Sequence, residues 1–192
     1  MIRAIVFDLY GVLAVNGWQA FKETHFSNRE DVWDQVYQLG RQVDAGLTDY
    51  NELVRFTADA TGESEATVRH QLEHTVANLE LLNFIQISLK GAYKLGILSN
   101  TSRVEVIDHI FTAEQRELFD VIILSSQLGI TKPDPRIFEI TANKLGVPIE
   151  HCLLVDDQER HIDGAHRASM QATMYTSTDQ FKLELTALLA DS

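Results

Sequence analysis

One cysteine, Cys152, is too few for a disulfide framework or a cysteine-rich zinc site. Internal repeats, low-complexity stretches and Pro/Gly/Ser-rich linkers are also missing, so nothing marks a flexible joint between separate modules. Basic residues are scarce: 16 Lys and Arg face 28 Asp and Glu, for a formal net charge of −12. Such a field repels nucleic-acid backbones and anionic lipid, so neither is an expected partner. Uninterrupted apolar runs are only a few residues long, against the roughly 20 needed to cross a bilayer. The opening Met1-Ile-Arg-Ala-Ile-Val-Phe-Asp8 puts an acid where the apolar stretch of a secretory signal would continue. What is left is a cytoplasmic globule with one main core, built from 192 residues of which 45% are apolar.

Short apolar runs alternate with amphipathic helical patterns, which predicts a parallel sheet covered by helices. The runs Arg3–Phe7, Lys94–Leu98, Val121–Leu124, Cys152–Val155 and Ala172–Tyr175 are brief and rich in Val, Ile or Leu, as strands buried on both faces should be. The ninety or so residues between the first two offer no good strand. They read as helices over Trp18–Phe26, Asp31–Gly40, Asp49–Thr61, Glu65–Leu79 and Leu82–Lys90, with Asn28, Thr48 and Ser64 where N-caps belong. A βα crossover needs about a dozen residues, so this stretch is an insertion. The expected architecture is α/β: a Rossmann-like, three-layer core of residues 1–15 and 85–192, with a helical cap of residues 16–84 inserted after strand 1.

Ligands of open parallel sheets sit at the carboxyl ends of the strands, and four segments fall there. Asp8 ends the first strand before a Gly-containing turn; it is either a plain turn residue or a carboxylate lifted into the crevice as nucleophile or metal ligand. Ser99 and Asn100 follow the second strand, as helix caps or as donors to an anion. Lys132 precedes Pro133-Asp134-Pro135, where a lysine has no helix-forming use; it is either a solvated surface residue or a cation holding a phosphoryl group or neutralising carboxylates. The two prolines favour a helix starting near Pro135. Asp156 and Asp157 follow the fourth strand, as a helix cap with a spare acid or as a pair that needs a cation, for which hard Mg²⁺ fits better than zinc or iron.

The order Asp8-x-Tyr-Gly-Val, Ser99-Asn100, Lys132-Pro-Asp, Asp156-Asp157 resembles the four motifs of the haloacid dehalogenase superfamily, and the insertion is placed like the small helical cap of its subfamily I. The stretches Leu98-Ser-Asn-Thr-Ser-Arg103, Ser125-Ser-Gln-Leu-Gly-Ile-Thr-Lys-Pro-Asp134 and Val155-Asp-Asp157 are most similar to two groups. These are the bacterial glucose-1-phosphate phosphatases and the N-terminal phosphatase domain of soluble epoxide hydrolase. The resemblance implies that Asp8 is a nucleophile forming an aspartyl-phosphate. It also implies that the other Asp8 oxygen, the Tyr10 carbonyl and Asp157 bind Mg²⁺, with Asp156 helping directly or through water. Ser99, the Asn100 amide and Lys132 would grip the phosphoryl oxygens of a small phosphorylated metabolite, a sugar phosphate in the leading case. Arg41 in the cap is either a solvated surface residue or a contact for a substrate anion.

One position departs from most phosphatases of the superfamily, which carry a second Asp two residues after the nucleophile as general acid and base. Here that residue is Tyr10, and losing a positioned acid–base group costs about 10²–10⁴-fold in rate. The 2-haloacid dehalogenases share Asp-x-Tyr-Gly, need no metal and form an ester between Asp and the substrate carbon, which is the main alternative. A non-catalytic phosphate-binding member is the third. Asp156-Asp157 argues for magnesium, and the glucose-1-phosphate phosphatases also lack the second Asp. The seven histidines show no metal spacing with crevice carboxylates, and His70 and His74 read as an exposed i, i+4 pair. Trp18 and Trp33 read as cap core or cap–core contact, and Cys152 as an inert strand residue.

Overall fold

Alternation along each strand explains the three layers. In β1 (Ala4–Phe7) every residue is buried, with Ile5 and Phe7 in one apolar cluster and Ala4 and Val6 in another on the opposite face. The strands β4 (Lys94–Ser99), β5 (Val121–Leu124), β6 (Cys152–Asp156) and β7 (Gln171–Met174) join β1 in one parallel sheet of order β5-β4-β1-β6-β7. These positions come from a computed structural model that describes residues 1–101 and 105–190; Ser102 and Arg103 of the family-like stretch lie outside them. One face is covered by α5 (Leu79–Phe84), the π-turn that continues it over Ile85–Leu89, and α10 (Thr178–Ala190). The other is covered by α8 (Pro135–Leu145) and α9 (Glu159–Arg167). Short α6 (Val106–Ile110) and α7 (Ala113–Arg116) lead into β5. Helix α8 starts at Pro135 as expected, with the Asp134 carboxylate accepting from Arg136 N–H.

The insertion holds α1 (Gly17–Phe26), α2 (Glu30–Asp44), α3 (Tyr50–Thr61) and α4 (Glu65–Glu73) around their own core, which includes Phe26, Trp33, Val36, Val54 and Val68. It is not wholly helical. The helix expected to reach Leu79 ends at Glu73, because His74 turns extended and Thr75–Ala77 (β3) pairs antiparallel with Ala14–Asn16 (β2). Three-residue strands carry too little alternation to announce themselves. Two caps also shift. Ser64 caps α4, but Asp49 rather than Thr48 caps α3, while the Thr48 hydroxyl donates to Glu52. No side chain caps α2 at Arg29, one residue after Asn28. Among the described residues no helix is long and apolar enough to cross a membrane.

Side-chain hydrogen bonds tie the insertion to the rest of the fold at both of its ends. Asn78 Nδ2 donates to the Val12 carbonyl (2.9 Å) and the Tyr175 hydroxyl (2.8 Å), and its Oδ1 caps α5. At the other end of the cap, Ser125 Oγ donates to the carbonyl of Asp44, the last residue of α2 (3.0 Å). The loop bearing Lys132 is braced by α9, where a Cβ on Gly164 would lie 2.7 Å from the Pro133 carbonyl oxygen. Gly164→Ala must therefore push the Lys132 loop away from the sheet. Urea unfolding should show a loss of about 1–3 kcal/mol for this variant, the usual cost of overpacking.

Candidate active site

Sheet order brings the site together. Strands β4 and β6 flank β1, so residues 8, 99–100 and 156–157 leave the same edge of the sheet side by side. Lys132 enters from the loop after β5. Its Nζ lies 2.9 Å from Asp8 Oδ2 and 2.6 Å from Asp156 Oδ2, and all three side chains are almost sealed from solvent, Lys132 at 1% exposure. Asn100 fixes the lysine's backbone in both directions: its Oδ1 accepts from Lys132 N–H (2.8 Å) and its Nδ2 donates to the Lys132 carbonyl (3.0 Å). Asp156 Oδ1 accepts from Gln158 N–H and lies 2.9 Å from His161 Nδ1. Asp8 Oδ1 accepts from the Leu9 N–H at 2.6 Å.

A buried lysine between two carboxylates sets the electrostatics. Burial opposes its charge, but Asp156 and Asp8 outweigh that and hold the ammonium above its ordinary range. Burial pushes the Asp8 carboxyl well up, with Lys132 pulling against it and Asp156 and Asp157 adding to the rise. Asp156 goes the other way: burial is overcome by Lys132 and His161, and the carboxylate stays ionised below its usual range. His161 is lowered to about 4, chiefly by burial, so near neutral pH its ring is uncharged and Nδ1–H donates to Asp156. Its Nε2 is buried without a partner.

Asp157 differs from Asp156. Its carboxylate pairs with no basic side chain among the described residues and lies against the turn after β1. A Cβ on Gly11 (φ +83°) would fall 2.1 Å from its Oδ2, so only glycine permits this approach. Loss of surrounding water and the Asp156 charge raise its pKa, with Lys132 and Arg160 pulling against them. With Asp8, Asp157 offers hard oxygen donors at the sheet edge, a set that fits Mg²⁺. Asp8, Asp156 and His161 also bring ligand atoms within 4.8 Å of one another, but there the Lys132 ammonium already serves as the cation.

Above these groups opens a cavity of about 740 Å³, with Asp8, Tyr10, Asn100 and Asp157 at its floor and Arg41 of α2 on its cap side. Trp18 and Trp33 stack edge to face at 5.6 Å and also face the cavity, so they are cap core and cavity wall at once. Ser99, the last residue of β4, is fully buried, and its hydroxyl has no partner and is not on the cavity wall. His70 and His74 are exposed, and Cys152 is buried with its thiol pushed up to about 11. Sequence reasoning missed His161, which does meet the crevice carboxylates; a histidine five residues past Asp156 gives no signal until α9 turns it back under the strand. It also missed the Asn100 side chain as the brace of Lys132.

The fold and these side chains define an α/β protein with an acidic, lysine-bridged centre at its sheet edge. The haloacid dehalogenase-like hydrolase family model matches residues 2–169, and the chain belongs to that family. A D-ribitol-5-phosphate phosphatase of Bacteroides thetaiotaomicron is 26% identical, the match covering 98% of this chain and 99% of that protein. A (S)-2-haloacid dehalogenase of Pseudomonas putida is also 26% identical, over 80% and 75% of the two chains. Among solved structures, a haloacid dehalogenase family enzyme of B. thetaiotaomicron in complex with magnesium and inorganic phosphate superposes with TM-score 0.70 at 21% identity, covering 92% of this chain and 95% of that one.

Two measurements probe the centre. Lys132→Met leaves two buried carboxylates facing each other without a cation, and urea unfolding at neutral pH should show a loss of about 3–5 kcal/mol. The deficit should shrink on acidification, because Asp8 then takes up a proton. His161, depressed from 6.5 to about 4, stabilises the fold fully above 6.5 and loses that contribution as pH falls towards 4. The stability of His161→Asn should therefore fall less steeply than the parent's across that window.

Proposed function

We propose that the chain is a Mg²⁺-dependent phosphatase that hydrolyses a small phosphorylated metabolite, with a sugar phosphate as the leading candidate. The observation that carries this reading is the division of labour between the two adjacent acids: Asp156 is consumed by Lys132 and His161, while Asp157 makes no ion pair among the described residues and lies over Gly11 in the turn that follows Asp8. Asp8, the Tyr10 carbonyl and Asp157 would hold the metal, and Asp156 would support it through Lys132 rather than by contact. When bound, Mg²⁺ supplies charge neutralisation for the transferring group. The phosphatase and magnesium-bound relatives support the same reading.

In the proposed cycle an Asp8 carboxylate oxygen attacks phosphorus, the bond to the ester oxygen breaks, and the alcohol leaves with a proton drawn from water. Water then attacks the aspartyl-phosphate, releasing inorganic phosphate and restoring Asp8. Lys132, the Ser99 hydroxyl and the Asn100 N–H steady the phosphoryl oxygens, and Arg41 contacts the rest of the substrate. The Ser99 hydroxyl is buried without a partner among the described residues, and this role requires it to turn towards the cavity, whose wall it does not line. The dehalogenase reading keeps two observations of its own: Lys132 lies 2.9 Å from Asp8 and compensates its charge, and Tyr10 stands where an acid–base aspartate would.

A panel of phosphorylated metabolites assayed with and without EDTA, beside 2-chloropropionate, separates the readings. Phosphate release that EDTA abolishes and that Asp8→Asn lowers by at least about a thousandfold is the expected result. Halide release indifferent to EDTA would replace it with the dehalogenase. Silence on every substrate, with Asp8→Asn binding phosphate as well as the parent, would mark a binding protein.

A further inference from the structure

Acids outnumber bases 28 to 16 in this chain, yet among the described residues no Lys or Arg on the cavity wall lies within ion-pair distance of a carboxylate. Three elements contribute one such residue each: Lys22 from α1, Arg41 from α2 and Arg160 from α9. Lys22 Nζ lies over the Trp33 ring at 5.9 Å, and the Arg160 guanidinium over the Tyr37 ring at 5.7 Å. Arg160 also donates to Gln158 Oε1 through Nε (2.9 Å) and Nη2 (2.7 Å). Residues 33, 37 and 41 are four apart, so α2 presents two rings and a guanidinium along one face. Elsewhere on the surface Arg69, Lys94, Arg116, Arg136 and Lys182 find an Asp or Glu, whereas Arg3, Arg55, Lys144 and Arg167 make no ion pair among the described residues. What sets Lys22, Arg41 and Arg160 apart is that one cavity gathers them. The wall's own acids are Asp8 and Asp157 at the floor and Asp44 at the end of α2; Arg160 acts on Asp157 from beyond ion-pair distance. Three cations gathered on one cavity wall, none of them in an ion pair, offer their charge to an anion that arrives with the ligand.

We infer that the substrate carries a second anionic group on its leaving alcohol, a carboxylate or a further phosphate, held by Lys22, Arg41 and Arg160 with the carbon skeleton against Trp33 and Tyr37. Which phosphate is cleaved rests on the phosphatase reading; the anion subsite is a separate claim about binding.

Calorimetry on the full-length Asp8→Asn protein tests it with a matched set: glucose 6-phosphate, 6-phosphogluconate and glucose 1,6-bisphosphate. At least one of the two doubly anionic ligands should bind at least about tenfold more tightly than glucose 6-phosphate, and which one does identifies the second group. Adding Lys22→Gln and Arg160→Gln, with the fold checked by circular dichroism, should cut that preference by about fivefold or more, as should 0.5 M salt. Three dissociation constants within twofold, a preference that survives the double substitution, or no binding of any of the three would overturn the inference. Turnover by the parent is read separately. Phosphate release from all three without a binding preference sinks the subsite and keeps the phosphatase, whereas a binding preference without release does the reverse.

Discussion

A lysine ammonium held out of water between two aspartates is the constraint on which the rest of this structure depends. Neither carboxylate could stay ionised at such burial alone, and the ammonium could not be buried without them. Attraction offsets desolvation only where distances are short, so the geometry has to be enforced from outside. Asn100 does this along the lysine backbone, His161 and the Gln158 N–H do it for Asp156, and the Leu9 N–H does it for Asp8. Gly164 takes part by absence, since any side chain there would collide with the residue next to Lys132.

The same cluster explains why Asp156 and Asp157, neighbours in sequence, have different fates. Asp156 ends β6 and points into the sealed layer, where Lys132 keeps it charged; Asp157 lies one step beyond the strand, over Gly11, and faces the cavity. Strand alternation sends successive side chains to opposite sides, and the end of the strand turns that into inside and outside. One acid organises the centre, and the other stays free to meet what enters from the cavity. The cap closes over this floor with aromatic and cationic residues from α1 and α2.

Much of the fold was legible residue by residue. Ile5 and Phe7 against Ala4 and Val6 predict a strand covered on both faces, and Pro135 after Asp134 predicts a helix start. The β2–β3 ribbon was not legible, because three residues give no period and Thr75–Ala77 continues an apolar helical pattern. Leu81, Leu82, Ile85 and Leu89 read as a helix, and only their partners in the sheet core show that this helix covers β1 rather than the cap.

For the centre itself, order along the chain was enough to name Asp8, Ser99, Asn100, Lys132, Asp156 and Asp157, since each follows a strand and strand ends converge. By itself the sequence determined the acidic balance, the alternating α/β plan and the residue types at the sheet edge, all properties of local pattern. Only the tertiary structure decided which carboxylate takes the lysine, that His161 turns back beneath it, that the Asn100 side chain serves the Lys132 backbone, and that three cations from separate elements share one wall. Those outcomes depend on distances between residues far apart in the chain, and such distances exist only once the layers have packed.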